Sequence, residues 1–96
     1  MRMIEKFNGI VETFPECDTP WWFVRVPNKI SQPYKSLAKN FGFIAVTLNV
    51  GQSSWQSSLM PHGDGEYFIA LPAKIRKAND IALGDKISIE FEIRER

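Results

Sequence analysis

Residues 67–75 read YFIALPAKI, and 45 positions earlier residues 22–30 read WFVRVPNKI. Laid over each other, Phe23 falls on Phe68, Pro27 on Pro72, Lys29 on Lys74 and Ile30 on Ile75. Trp22 falls on Tyr67, Val24 on Ile69 and Val26 on Leu71, all conservative pairs. Each half of the chain reads strand, turn, aromatic strand, proline, helix, strand. One half alone would leave an apolar strand face in water, so it is not a stable unit. Two halves, about 1–50 and 51–96, can bury those faces against each other around a pseudo-twofold axis. The expected architecture is mainly β. Six strands close into a small barrel that leaves no exposed edge, with two short helices beside it.

Hydrophobic alternation supports the strands. In KISIEFEIRER, Ile87, Ile89, Phe91 and Ile93 share one face, and Ser88, Glu90, Glu92 and Arg94 the other. FIAVTLNV repeats the pattern with Ile44, Val46, Leu48 and Val50 inward. The run from Ile4 to Phe14 reads as one strand, with Gly9 marking a bulge. Gly51-Gln52 reads as a two-residue hairpin turn, and residues 15–20 and 61–65 as further turns. Pro72 suits the start of a helix over Ala73–Ala78, with Ile75 and Ala78 inward and Asn79 ending it in the left-handed conformation. After Pro27 the pattern predicts a turn, then a helix from about Pro33 to Lys39 capped by Ser31.

The 96 residues fit a single domain spanning 1–96. Twelve Lys and Arg against eleven Asp and Glu leave a net charge of +1, so no overall field draws the chain to nucleic acid or an anionic membrane. Cys17 is the one cysteine, which excludes an internal disulfide and a cysteine cage for a metal. The segment MRMIEKFNGIVETF is interrupted by Glu5, Lys6 and Asn8, so it reads as neither signal peptide nor membrane span. A cytoplasmic setting is the expectation.

The stretch ALPAKIRKANDIALGDKISIEFEI, residues 70–93, resembles the swapped-hairpin module of AbrB, MazE and SpoVT type regulators. Pro72, Ile75, Arg76, Gly84 and Asp85 stand at the positions of that motif. Nearly the whole chain resembles the small bacterial DUF1905 family, through WWFVRVP, GFIAVTLNVGQSSWQSSLMP, EYFIALPAKIRKA and LGDKISIEFEI. The resemblance implies a double-split β-barrel, a single-chain relative of the swapped-hairpin dimer. It implies no activity. Some relatives carry a second, C-terminal domain, and none is expected after Arg96. Because both halves lie on one chain, a monomer can close alone, and a weak dimer stays open.

Candidate chemistry is sparse. His62, with Asp64 and Glu66, is the one candidate for a catalytic pair or metal site, and no second histidine or spaced ligand set joins it. Ser53, Ser54, Ser57 and Ser58 lack the Gly-x-Ser-x-Gly elbow that would activate a serine. Cys17, between Glu16 and Asp18, is flanked by charges that blunt a thiolate. Neighbouring strand residues face opposite sides, so Trp21 and Trp22 cannot share one core. The repeat puts Trp22, Val24 and Val26 inside. Trp21 and Phe23 then lie outside, more readily packed beneath residues 28–40 than bare. Arg76 heads a basic set with Lys74, Lys77, Lys29 and Lys35, and Asp80 or Asp85 is its expected carboxylate partner.

The sequence therefore reads as a non-catalytic binding or interaction domain for an unidentified small molecule or protein, with Trp21, Trp55 and Arg76 as candidate contacts. No catalytic residue, metal or cofactor is expected. The alternative is a DNA-binding regulator of AbrB/MazE type. Arg2, Lys6 and Arg25 face Glu5, Glu12, Glu16 and Asp18 on the first hairpin, a poor balance for phosphate contacts. A hydrolase-like enzyme built on His62 is the remote alternative.

Overall fold

The computed structural model describes residues 3–13, 21–37, 42–61 and 66–94. His62, Asp64, Cys17 and the turns predicted at 15–20 and 61–65 fall wholly or mostly outside them. Seven strands are described: β1 (Ile4–Ile10), β2 (Glu12–Thr13), β3 (Trp22–Val26), β4 (Ile44–Val50), β5 (Ser53–Pro61), β6 (Tyr67–Ala70) and β7 (Lys86–Ile93). They form one antiparallel sheet in the order β1-β7-β4-β5-β6-β3-β2. The two ends of that order, β1 and β2, are joined through Val11 alone, so the sheet curls into a nearly closed barrel.

Seven strands stand where six were expected, because the N-terminal run is split. Val11 donates its N–H to Asp85 O at 2.9 Å and accepts from Gly84 N–H at 2.9 Å. Those bonds pull Val11 onto the turn before β7 and out of the ladder, so β1 pairs with β7 and β2 with β3. Gly9 is not the bulge. It pairs regularly with Ile87, and it is needed because a Cβ there would overlap Val24 Cγ1 where β1 crosses β3.

The alternating residues of β4 and β7 bury as their pattern requires: Ile44, Val46, Leu48 and Val50, then Ile89, Phe91 and Ile93. Phe91 lies at the centre. Phe7 meets its ring edge-on at 6.3 Å between centroids and Tyr34 at 6.1 Å. Burying one such ring contributes about 1.5–3 kcal/mol. Val24 and Val26 in β3, Ile69 in β6 and Leu71 just after it carry the same core onward.

Phe23, on the outer face, is not bare. It is only 2% exposed. Phe68 packs against it edge-on at 5.6 Å, and the Arg25 guanidinium lies 5.8 Å from its ring centroid.

Two short helices follow the two prolines. Pro27 (φ −54°, ψ 136°) precedes α1 (Asn28–Ser31), and Pro72 (φ −60°, ψ 151°) precedes α2 (Ala73–Ala78). Pro27 O accepts from Ile30 and Ser31 N–H at 2.9 and 3.1 Å. Pro72 O accepts from Ile75 and Arg76 N–H at 3.0 and 3.1 Å. The first connection differs from the predicted Pro33–Lys39 helix. The helical turn starts at Asn28, and Pro33, which has no N–H, cannot extend an α-ladder. The chain tightens into a 3₁₀ helix over Gln32–Leu37. Ser31 does not cap it: its side chain is buried and donates back to Asn28 O at 3.3 Å.

In α2, Ile75 is buried, whereas Ala78 faces solvent rather than the core. Asn79 keeps a negative φ of −116°, and the left-handed residue is Asp80 at φ 52°. The side chain of Asn79 has another task. It donates to Ser53 Oγ at 2.9 Å and to Ile75 O at 3.0 Å, and accepts from Gln52 N–H at 3.3 Å. These bonds pin the end of α2 to the β4–β5 turn. Among the described residues no helix is long and apolar enough to cross a membrane.

Candidate functional site

The start of β3 and the start of α2 meet at one end of the barrel. Leu71 N–H donates to Trp22 O at 2.8 Å, which extends the β3–β6 ladder by one bond. Pro72 then turns the chain, and one helical turn brings Arg76 over Trp22 of the neighbouring strand β3. Its Cζ lies 4.2 Å from the centroid of Trp22. Its Nε donates to Leu71 O at 3.1 Å. The guanidinium is thus held over an indole and fixed at one edge. Such a stack contributes about 0.5–2 kcal/mol depending on desolvation.

Trp21, Trp22, Leu71, Pro72, Ala73 and Arg76 line a mostly apolar, open cleft of about 240 Å³. Trp21 is 54% exposed, not covered as the packing expectation had it. Trp22, placed inside by the strand parity, is half-buried because it lies at the barrel's end. Its outer ring face is taken by Arg76. Sequence reasoning missed Trp22 as a site residue. The signal was a strand-opening tryptophan whose repeat partner lies five residues before a helix-starting proline.

Arg76 was expected to pair with Asp80 or Asp85. It pairs with neither. Asp85 instead accepts from Ala82 N–H at 2.9 Å, closing the loop before β7. The terminal Nη groups of Arg76 have no hydrogen-bond or ion-pair partner among the described residues. Lys74 and Lys77 point to solvent on α2 and do not line the cleft.

Trp55 is not part of this cleft. It sits opposite Leu48 in the β4–β5 ladder and packs, half-buried, on the core. Its Nε1 is buried and meets no acceptor among the described residues. The two predicted contacts that come together are therefore Trp21 and Arg76.

The other candidates gather no chemistry among the described residues. Glu66 is engaged by Arg25 Nη1 at 3.7 Å. Ser53 accepts from Asn79. No group of three His, Cys, Asp and Glu side chains there has metal-holding geometry. On the N-terminal side, Arg25 Nε pairs with Glu12 at 3.3 Å and Lys6 with Glu90 at 3.6 Å.

No curated protein matches the sequence. The family described as domain of unknown function (DUF1905) matches residues 7–91, from the first core strand to Phe91 at the centre of the barrel. That span takes in both prolines, both helices and every residue lining the cleft, and the chain belongs to the DUF1905 family.

Proposed function

We propose that this domain is a non-catalytic binding module of the bacterial cytoplasm that holds a small partner in the Trp21–Trp22–Arg76 cleft. One observation carries the reading: an exposed indole, Trp21, stands beside a guanidinium that is already oriented by Trp22 and Leu71 O. Exposed aromatic area next to a fixed polar group is the usual composition of a recognition site. A family of unknown function names no catalytic activity, and the described residues lining the cleft include no nucleophile, acid or base.

A DNA-binding role draws no support from the charges. Lys6 and Arg25, two of the three cations expected to meet phosphate, are engaged by Glu90, Glu12 and Glu66. Phosphate contacts need cations available to displace counterions.

The test is a fragment screen by saturation-transfer NMR on the wild type and on Trp21→Ala. The reading expects hits that vanish in the variant. A screen whose hits all survive Trp21→Ala places binding elsewhere and refutes it.

We also read the barrel as two fused, twofold-related halves of the double-split type, related to the AbrB swapped-hairpin module. Support comes from two separate ladders. Val24 pairs with Ile69 in β3–β6, and Thr47 pairs with Glu92 in β4–β7. Both pairs are 45 residues apart, the offset of the sequence repeat. An antiparallel pair carries a local dyad, and these two dyads both carry residue i onto i + 45. Pro27 and Pro72 also occupy matching conformations and accept matching bonds. A crystal structure in which the rotation superposing 22–30 on 67–75 fails to bring β4 onto β7 would sink the fusion.

A further inference from the structure

The cleft has a charge requirement that its apolar walls do not meet. Arg76 spends Nε on Leu71 O and one ring face on Trp22, and its Nη edge has no described partner. A guanidinium edge presents parallel N–H donors in the fork that fits a carboxylate. Among the described residues no second cation lines the cleft, so one negative charge is balanced by them and two are not. Trp21 offers an open flat ring, and Ala73 leaves room beside it. The volume of about 240 Å³ lies below the range of roughly 300–1,000 Å³ for drug-sized ligands. One ring with a short acidic arm fills it.

We propose that the cleft takes a small aromatic monocarboxylate, its ring against Trp21 and its carboxylate on the Nη edge of Arg76. The inference rests on the cleft being the binding site, and it names the ligand class. Arg76 is held before the ligand arrives, so little side-chain freedom is lost on binding. Aromatic anions of this size bind such open sites with dissociation constants on the order of 1 mM.

Calorimetric titration of the wild type with phenylacetate and with phenylacetamide, which match in size and shape but differ in charge and in one acceptor exchanged for a donor, separates the claims. The proposal expects phenylacetate to bind at least about tenfold tighter, as a charge-assisted bidentate contact should. It expects that preference to shrink as salt rises. Arg76→Gln should erase the preference, and Arg76→Lys should keep only part of it, because an ammonium lacks the fork. Trp21→Ala should weaken both ligands equally. Circular dichroism melts show whether the variants fold, and the salt series on the wild type decides the matter without them.

Equal binding of the two ligands, lost in Trp21→Ala, overturns the carboxylate assignment and leaves the binding cleft standing. Binding of neither at 10-fold above the expected constant overturns the ligand class, and the fragment screen then judges the cleft separately. N-acetyl-Gly-Phe with a free carboxylate, bound at least about tenfold tighter than phenylacetate, would make the occupant a peptide end and overturn the small-molecule assignment.

Discussion

Arg76 can hold its place only if α2 does, and α2 is fastened at its far end by Asn79 on the β4–β5 turn. Gly51→Ala tests that fastening. Gly51 has φ +57°, a conformation that costs a residue bearing a Cβ about 1–2 kcal/mol. The new methyl would also overlap Asn79 Oδ1, with Asn79 Cγ 3.1 Å away. Asn79 would have to withdraw and give up its bonds to Gln52 N–H, Ser53 Oγ and Ile75 O. Bonds of this kind, partly open to water, net about 1–3 kcal/mol together. The single variant should therefore lose about 2–5 kcal/mol. In an Asn79→Ala background the overlap is gone and the bonds are already absent. Gly51→Ala should then cost only the conformational part, about 1–2 kcal/mol. Urea unfolding of the four proteins closes the cycle and should give a coupling of about 1–3 kcal/mol. Costs that add to within about 0.5 kcal/mol would mean that Asn79 does not sit on the turn, and the account of how α2 is held would be wrong.

Two further outcomes follow from single side chains. Trp55→Phe removes a buried N–H that meets no described acceptor, a group that costs about 1–3 kcal/mol when left unpaired. That relief offsets much of the lost ring area, so urea unfolding should show a net loss under about 1 kcal/mol; a loss above about 3 kcal/mol would reveal a bonded indole. The Tyr34 hydroxyl donates to the Glu5 carboxylate. That bond, then burial, then the charge of Glu5 push its pKa from 10.0 up to about 12. The folded-state value is the higher one, so this contribution is complete below pH 10 and disappears as pH climbs from 10 to 12. The stability difference between wild type and Tyr34→Phe should shrink across that window, and a difference that stays level would contradict the assignment.

Much of the barrel is written in local pattern. Alternation in β4 and β7 fixes which residues face the core, because a strand's period is two whatever it pairs with. Pro72 followed by AKIRKA declares a short helix from its own chemistry, and Gly51-Gln52 declares a turn. What the sequence hides depends on distant partners. Val11 leaves its ladder because of Asp85 and Gly84, more than seventy residues away. Phe23 looks bare on an outward position until Phe68 and Arg25 close over it. Asn79 looks like a helix terminator until Gln52 and Ser53 arrive. The site was half legible. Trp21 stands out as a tryptophan on the wrong side of a strand, and Arg76 as a cation in a recurring motif. Their meeting was not legible, because it needs the β3–β6 register and the return of α2 over Trp22. Trp55 stands apart from the other two candidates: a tryptophan on a serine-rich strand looks available, and it packs half-buried against the core.

The three indole N–H signals of uniformly ¹⁵N-labelled protein, followed as phenylacetate is added, examine the cleft most directly. Trp21 and Trp22 should move together on one binding curve while Trp55, which does not line the cleft, stays still. Movement of Trp55 with Trp21 and Trp22 unmoved would put the ligand elsewhere and contradict the account.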